Sequence, residues 1–211
     1  MNIDTTTLKL PDECYFQEKL AKSMVVLHFT AGSTAKGAAN YWTASKNKVS
    51  APYLLDADGT IYQTYDPAMW SYHLGFKGTW AHDKRSVPIE IVNIGPLVRK
   101  GDALYCWVNN FGKKYCDISE TDKYVDLGVA EYRGYSYFAS FTKPQMDVLP
   151  ELVSSITDQF KIQKKLPPKE SRGAFDIEAF KGWQGIWDHA ACRNDKMDVG
   201  PAFDWSLLEN L

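Results

Sequence analysis

The 211-residue chain carries almost no net charge: 24 Lys and Arg stand against 26 Asp and Glu, a formal balance of −2. A polyanion or an anionic lipid surface therefore meets no global attraction, and neither nucleic acid nor a charged membrane is an expected partner. Long apolar runs are missing too. None approaches the ~20 residues that a membrane-spanning helix needs, which argues against membrane insertion. Residues 1–8 show neither a basic start nor an apolar stretch, so no export signal is read there and the chain is expected to be made in the cytoplasm. Cysteine is scarce, with only Cys14, Cys106, Cys116 and Cys192. A cytosolic chain keeps such thiols free; a Cys106–Cys116 bond across a hairpin is the lesser alternative. Repeats, low-complexity tracts and linkers are absent. With 45% hydrophobic residues, the chain is expected to form one domain over residues 1–211, and to be monomeric.

What is present has the rhythm of an α/β domain. Residues 24–29 form an apolar run of strand length, suited to burial on both faces. Thr34 stands where it can cap a helix over residues 35–45. Residues 53–63 read as a β-hairpin turning at Asp58-Gly59. Residues 87–92 are a second β-branched run, interrupted by Glu90. Residues 95–137, rich in Gly, Tyr and charge, read as a β-rich insertion with a strand near 103–108. Met146, Leu149, Val153, Ile156 and Phe160 recur at helical spacing, ending near Ile162. Pro150 interrupts that pattern, so the helix is expected to start near it or to kink there.

Histidine is rare as well, with four in the chain, and two of them carry the most chemistry. His28 ends the apolar run 24–29, where an imidazole is costly unless it finds a partner. His189 lies in Asp188-His189-Ala190-Ala191-Cys192, followed by Lys196-x-Asp198-x-Gly200-Pro201. A histidine at a strand end and a His…Asp pair on a distant loop suit a three-ligand zinc site with one open position, the form of a hydrolytic centre. His82 reads as an ordinary solvated residue. His73, within Trp70-Ser-Tyr-His73-Leu-Gly75, is open between ligand, substrate contact and filler.

The segments V-V-L-H-F-T-A-G, A-P-Y-L-L-D-A-D-G-T-I-Y-Q, W-S-Y-H-L-G, S-V-P-I-E-I-V-N and D-H-A-x(6)-K-x-D-x-G-P-x-F-D-W occur in that order. Together they resemble the zinc-dependent N-acetylmuramoyl-L-alanine amidases, a fold group that includes phage lysozyme-type amidases, bacterial anhydro-muropeptide amidases and peptidoglycan recognition proteins. The resemblance spans about residues 24–205. It implies a central mixed β-sheet flanked by helices, with a zinc groove at one sheet end and one Zn2+ per chain. It makes His28, His189 and Asp198 the metal ligands, Glu90 the catalytic acid–base and Lys196 the oxyanion partner. His73 matches a groove residue that is not a ligand, and Arg133 is expected to meet a stem-peptide carboxylate. Ala51 stands where the phage branch has a tyrosine, Pro52 replaces a histidine commonly found there, and the third ligand is Asp198 rather than the phage branch's cysteine. Those departures favour the Glu-dependent bacterial branch. The short His189–Asp198 spacing leaves Cys192 as an alternative ligand.

The activity implied is hydrolysis of the amide between N-acetylmuramic acid and L-alanine in peptidoglycan or muropeptides. Trp42, Trp70, Trp80 and the aromatics from Trp107 to Tyr137 are candidates to stack on sugar, although aromatics at such density more often build core. A phage-type endolysin released to the wall is slightly favoured over a cytoplasmic recycling enzyme, because the insertion suggests a groove for a larger substrate. Two alternatives stand beside this: a non-catalytic peptidoglycan-binding module of the recognition-protein type, and a zinc hydrolase acting on another amide.

Overall fold

The computed structural model describes residues 1–75, 80–106 and 112–211. Trp107, and with it the end of the strand expected at 103–108, lies outside these residues. In chain order the elements are β1 (Ile3–Asp4), β2 (Met24–Phe29), α1 (Ala35–Ser45), β3 (Tyr53–Leu55), β4 (Ile61–Gln63), α2 (Ala81–Arg85) and β5 (Ser86–Ile91). Then come β6 (Pro96–Lys100), β7 (Ala103–Cys106), β8 (Lys114–Asp117), β9 (Tyr124–Asp126) and β10 (Tyr137–Ala139). The chain closes with α3 (Lys143–Phe160), α4 (Ile177–Gly182) and β11 (Gly185–Asp188).

The main sheet has the order β1-β4-β3-β5-β2-β11. Strands β3, β5, β2 and β11 are parallel, while the β3–β4 hairpin adds an antiparallel pair. This is the mixed α/β sheet that the sequence led us to expect. Its hairpin turns through Gly59 at φ 87°, a conformation glycine adopts without a Cβ penalty. Strand β2 lies inside the sheet between β5 and β11, and Met24 to His28 are buried because both faces of the strand are covered. Val25 and Leu27 pack with Leu149, Leu152, Val153 and Ile156 of α3. Met24 and Val26 face the other way, against Leu74, Phe180 and Trp187. Side chains alternate along a strand, so His28 shares the face of Met24 and Val26, opposite α3.

Helix α1 begins as its sequence suggests, with the Thr34 hydroxyl accepting from the Gly37 amide. Helix α3 does not start near Pro150, one of the two expectations for that residue. It starts at Lys143, where Thr142 and Gln145 form a reciprocal capping box, and it runs through Pro150 as continuous helix. An internal proline costs about 3 kcal/mol. Burying four large apolar side chains on the sheet contributes roughly 1.5–3 kcal/mol each, which outweighs that cost.

The insertion forms a second, antiparallel sheet in the order β8-β7-β6-β10-β9. Its core contains Ile94, Leu97, Leu104, Cys106, Cys116 and Tyr124. All four cysteines are free thiols. The β7–β8 register pairs Leu104, not Cys106, with Cys116. No helix among the described residues is long and apolar enough to cross a membrane.

Candidate metal centre and groove

The parallel strands bring three chemically loaded positions to their C-terminal edge. His28 and Glu90 are direct register partners on β2 and β5, so both side chains leave the same face of the sheet. His189 follows β11, which pairs with β2 on its other side. A 3-10 turn over His189–Ala191 fixes that residue, and the Asp188 carboxylate caps the turn by accepting from the Ala191 amide. Its other oxygen accepts from the Gly173 amide at 2.9 Å. Burial pushes the Asp188 carboxyl up to about 7.

Asp198 returns to the site on the following loop, its carbonyl accepting from the Ala190 amide at 2.8 Å. Its Oδ2 lies 3.0 Å from His28 Nδ1 and 3.0 Å from His189 Nδ1. The three donor atoms all lie within 4.8 Å of one another, and all three residues are buried. Tetrahedral zinc with bonds of ~2.0–2.2 Å holds its ligand atoms roughly 3.3–3.6 Å apart, so a small inward or outward adjustment accommodates the ion. Two imidazoles and one carboxylate are also the donor types of hydrolytic zinc sites. His28, His189 and Asp198 thus fit the metal that the sequence motifs imply.

The electrostatics agree with that fit. Burial, reinforced by repulsion from His189, lowers the His28 pKa to about 4, so its ring is neutral near pH 7 and has a lone pair to give. Burial opposes ionisation of Asp198 as well, but the adjacent His189 and His28 outweigh it and hold the carboxyl well below the usual range. Cys192 is elsewhere. Its thiol donates to the His189 carbonyl at 3.3 Å and packs among Met24, Val26, Leu74 and Trp187. Burial raises its pKa further, which disfavours the thiolate a metal would need.

Glu90 and Lys196 line the same groove, a cavity of about 670 Å³ bordered also by Tyr41, Trp42 and Val49. Glu90 is partly open to it, yet its Oε2 is enclosed and has no hydrogen-bond partner among the described residues. Burial, with repulsion from Asp198, pushes its carboxyl up to about 8. A cation beside it would offset that penalty.

Two expected substrate contacts have other partners. Arg133 extends from the insertion to the loop before Asp198, where its guanidinium donates to the carbonyls of Ala190, Arg193, Asn194 and Lys196. Those bonds engage both Nη1 and Nη2 of the guanidinium within the protein. His73 lines the groove beside His28 and is buried, with both ring nitrogens engaged: Nδ1 at 3.0 Å from His28 Nε2 and Nε2 at 2.8 Å from Ser86 Oγ. Trp42 and Trp70 are buried, whereas Trp80 is 52% exposed.

Two residues of the site escaped sequence reasoning. Asp83 Oδ1 accepts from the amides of both His73 and Leu74, and the Leu74 carbonyl lies 3.0 Å from His189 Nε2. Ser86 supports His73. Both residues belong to a charged stretch and a strand start that look ordinary in one dimension, and no local signal marks them.

A family model for N-acetylmuramoyl-L-alanine amidases matches residues 18–201. The chain belongs to that family. Solved structures of similar fold include the E. coli amidase AmiD, determined in complex with anhydro-N-acetylmuramic acid-L-Ala-D-gamma-Glu-L-Lys. It aligns at TM-score 0.54 and 19% identity, over 92% of this chain and 58% of AmiD. The N-acetylmuramoyl-L-alanine amidase LysC from Clostridium intestinale URNW aligns at TM-score 0.55 and 11% identity, over 100% of this chain and 96% of LysC. The chain thus spans little more than half of AmiD and nearly all of LysC. No curated protein sequence matches it significantly.

Proposed function

We propose that the protein is a zinc-dependent amidase that cleaves the bond between the lactyl carbonyl of N-acetylmuramic acid and L-alanine, in peptidoglycan or its muropeptide fragments. The observation that carries this reading is the convergence of His28, His189 and Asp198, with donor atoms within 4.8 Å of one another, in a groove that also contains Glu90 and Lys196. Zinc held there supplies Lewis-acid activation of water and of the scissile carbonyl.

The chain's own groups do the rest. Glu90 takes a proton from the attacking water and delivers it to the leaving nitrogen. A divalent ion bound by two neutral imidazoles and one carboxylate keeps a net positive charge, which counters the burial holding Glu90 near pKa 8. The Lys196 ammonium stabilises the oxyanion, a contribution of about 3–4 kcal/mol for a well-placed donor. Arg133 acts as a brace that keeps the Asp198 loop in position rather than as a substrate contact.

Within this reading we favour an endolysin-type role on wall peptidoglycan, supported by the open groove and by an insertion that flanks the Asp198 loop. A recognition module without catalysis has less support, since all three donor residues are present. The test is zinc content together with mass spectrometry of digested sacculi and of soluble muropeptides. About one zinc per chain and free stem peptides starting at L-alanine are expected. A metal-free protein of full activity, or cleavage at another bond, would refute the proposal.

A further inference from the structure

An imidazole that ligates a metal through one ring nitrogen carries its single proton on the other. Only the His28 tautomer bearing that proton on Nε2 leaves the Nδ1 lone pair facing Asp198 and the ion. The surroundings of His28 contain a device that selects it. Ser86 has a single hydroxyl proton, and the His82 carbonyl, an obligate acceptor, lies 2.6 Å from its oxygen. With the proton committed there, Ser86 Oγ offers only lone pairs to His73 Nε2, 2.8 Å away. His73 must therefore carry its proton on Nε2 and leave Nδ1 bare. His73 Nδ1, at 3.0 Å, is then an acceptor for His28 Nε2–H. The reverse order of protons would forfeit the short Ser86–His82 bond and point an N–H of His28 at the metal face.

From this relay, and resting on the zinc reading above, we infer that His73 is a positioning residue for the metal. Anchored through Ser86 to the His82 carbonyl, it fixes the tautomer and ring orientation of His28. The same short segment serves the second imidazole, because the Leu74 carbonyl accepts from His189 Nε2–H and leaves its Nδ1 bare. Asp83 clamps the backbone of both residues by accepting from their amides. A substitution of the His73 side chain thus leaves the Leu74 carbonyl where it is. Metal-binding histidines generally need an acceptor on the far nitrogen, and removing it weakens metal affinity about 10–100-fold.

The experiment compares zinc dissociation constants, measured by competition with a chromophoric chelator, for the wild type, His73→Phe, His73→Asn and Ser86→Ala. His73→Phe removes the acceptor and should weaken zinc binding about 10–100-fold. His73→Asn can present its Oδ1 where Nδ1 stood and should recover most of that loss, which a purely steric role would not produce. Ser86→Ala frees His73 to change tautomer and should fall between wild type and His73→Phe. 15N NMR of zinc-loaded wild type should show His28 protonated at Nε2. Wild-type affinity in a folded His73→Phe, or no recovery by His73→Asn, overturns the inference while the zinc reading stands. Should His73→Phe fail to fold, the Ser86→Ala affinity and the His28 tautomer decide. A wild type that binds no zinc overturns the reading beneath it instead.

Discussion

Glu90 offers a test of the site that does not depend on substrate. Its carboxyl moves from an ordinary 4.5 to about 8 in the folded protein, chiefly through burial. Below pH 4.5 the group is protonated in both folded and unfolded chains and exerts no pH-dependent cost. Between 4.5 and 8 the unfolded chain releases its proton while the folded one keeps it, so stability falls as pH rises. At about 1.4 kcal/mol per pH unit, the span from 4.5 to 7 amounts to about 3 kcal/mol. The residue is partly open to the groove, and entering water reduces this to about 1–3 kcal/mol. Glu90→Gln replaces the titrating group with a neutral one of similar shape and abolishes the slope. Urea unfolding of chelator-stripped protein, followed by the fluorescence of its seven tryptophans at pH 5, 6, 7 and 8, measures the difference directly. The buried Asp188 titrates in both proteins and largely cancels. The stability advantage of Glu90→Gln should grow with pH across this range and shrink when zinc is restored. If the difference stays flat within about 0.5 kcal/mol, Glu90 titrates as an ordinary carboxylate and the reasoning about its enclosed oxygen is wrong.

Other outcomes follow from the same geometry. Lys196→Met should retain zinc and fold while kcat on a defined muropeptide drops about 10²-fold or more with KM little changed; normal turnover would remove Lys196 from the chemistry. Asp198→Ala should lose zinc by metal analysis while Cys192→Ser keeps it, and the opposite pattern would transfer the ligand role to the thiol. Arg133→Ala leaves four carbonyls of the Asp198 loop without their shared donor, so the melting temperature should fall by an amount equivalent to about 2–3 kcal/mol. Zinc should also dissociate faster from Arg133→Ala, and an unchanged dissociation rate would mean that the brace does not reach the metal site.

Local pattern was enough for the elements that bury a simple periodicity. The apolar run of β2, the Thr34 cap of α1 and the Asp58-Gly59 turn are each written within a few residues, and the structure has them as read. His28, Glu90, His189, Lys196 and Asp198 were legible because each interrupts an apolar run or stands in a dense polar motif, where the residue type is expensive without a purpose. A start of α3 near Pro150, one of the two expectations there, failed because the energy that carries a helix through a proline comes from the sheet it covers. That sheet is distant in sequence.

The protein partners of Arg133 and His73 were not legible in the sequence for a related reason. An arginine in a tyrosine-rich insertion and a histidine among aromatics carry no local sign of what they will bond to: Arg133 was expected at a stem-peptide carboxylate, and His73 was open between ligand, substrate contact and filler. The sequence by itself determined the element types, the candidate metal-ligand set and the family to which the chain belongs. Only the tertiary structure decided that the Leu74 carbonyl, His73, Ser86 and Asp83 form a layer behind the two imidazoles, and that Arg133 braces the loop carrying Asp198. Hydrogen bonds are short-ranged and directional, so their partners are set by which segments the sheet brings together, and those segments lie tens to more than a hundred residues apart along the chain.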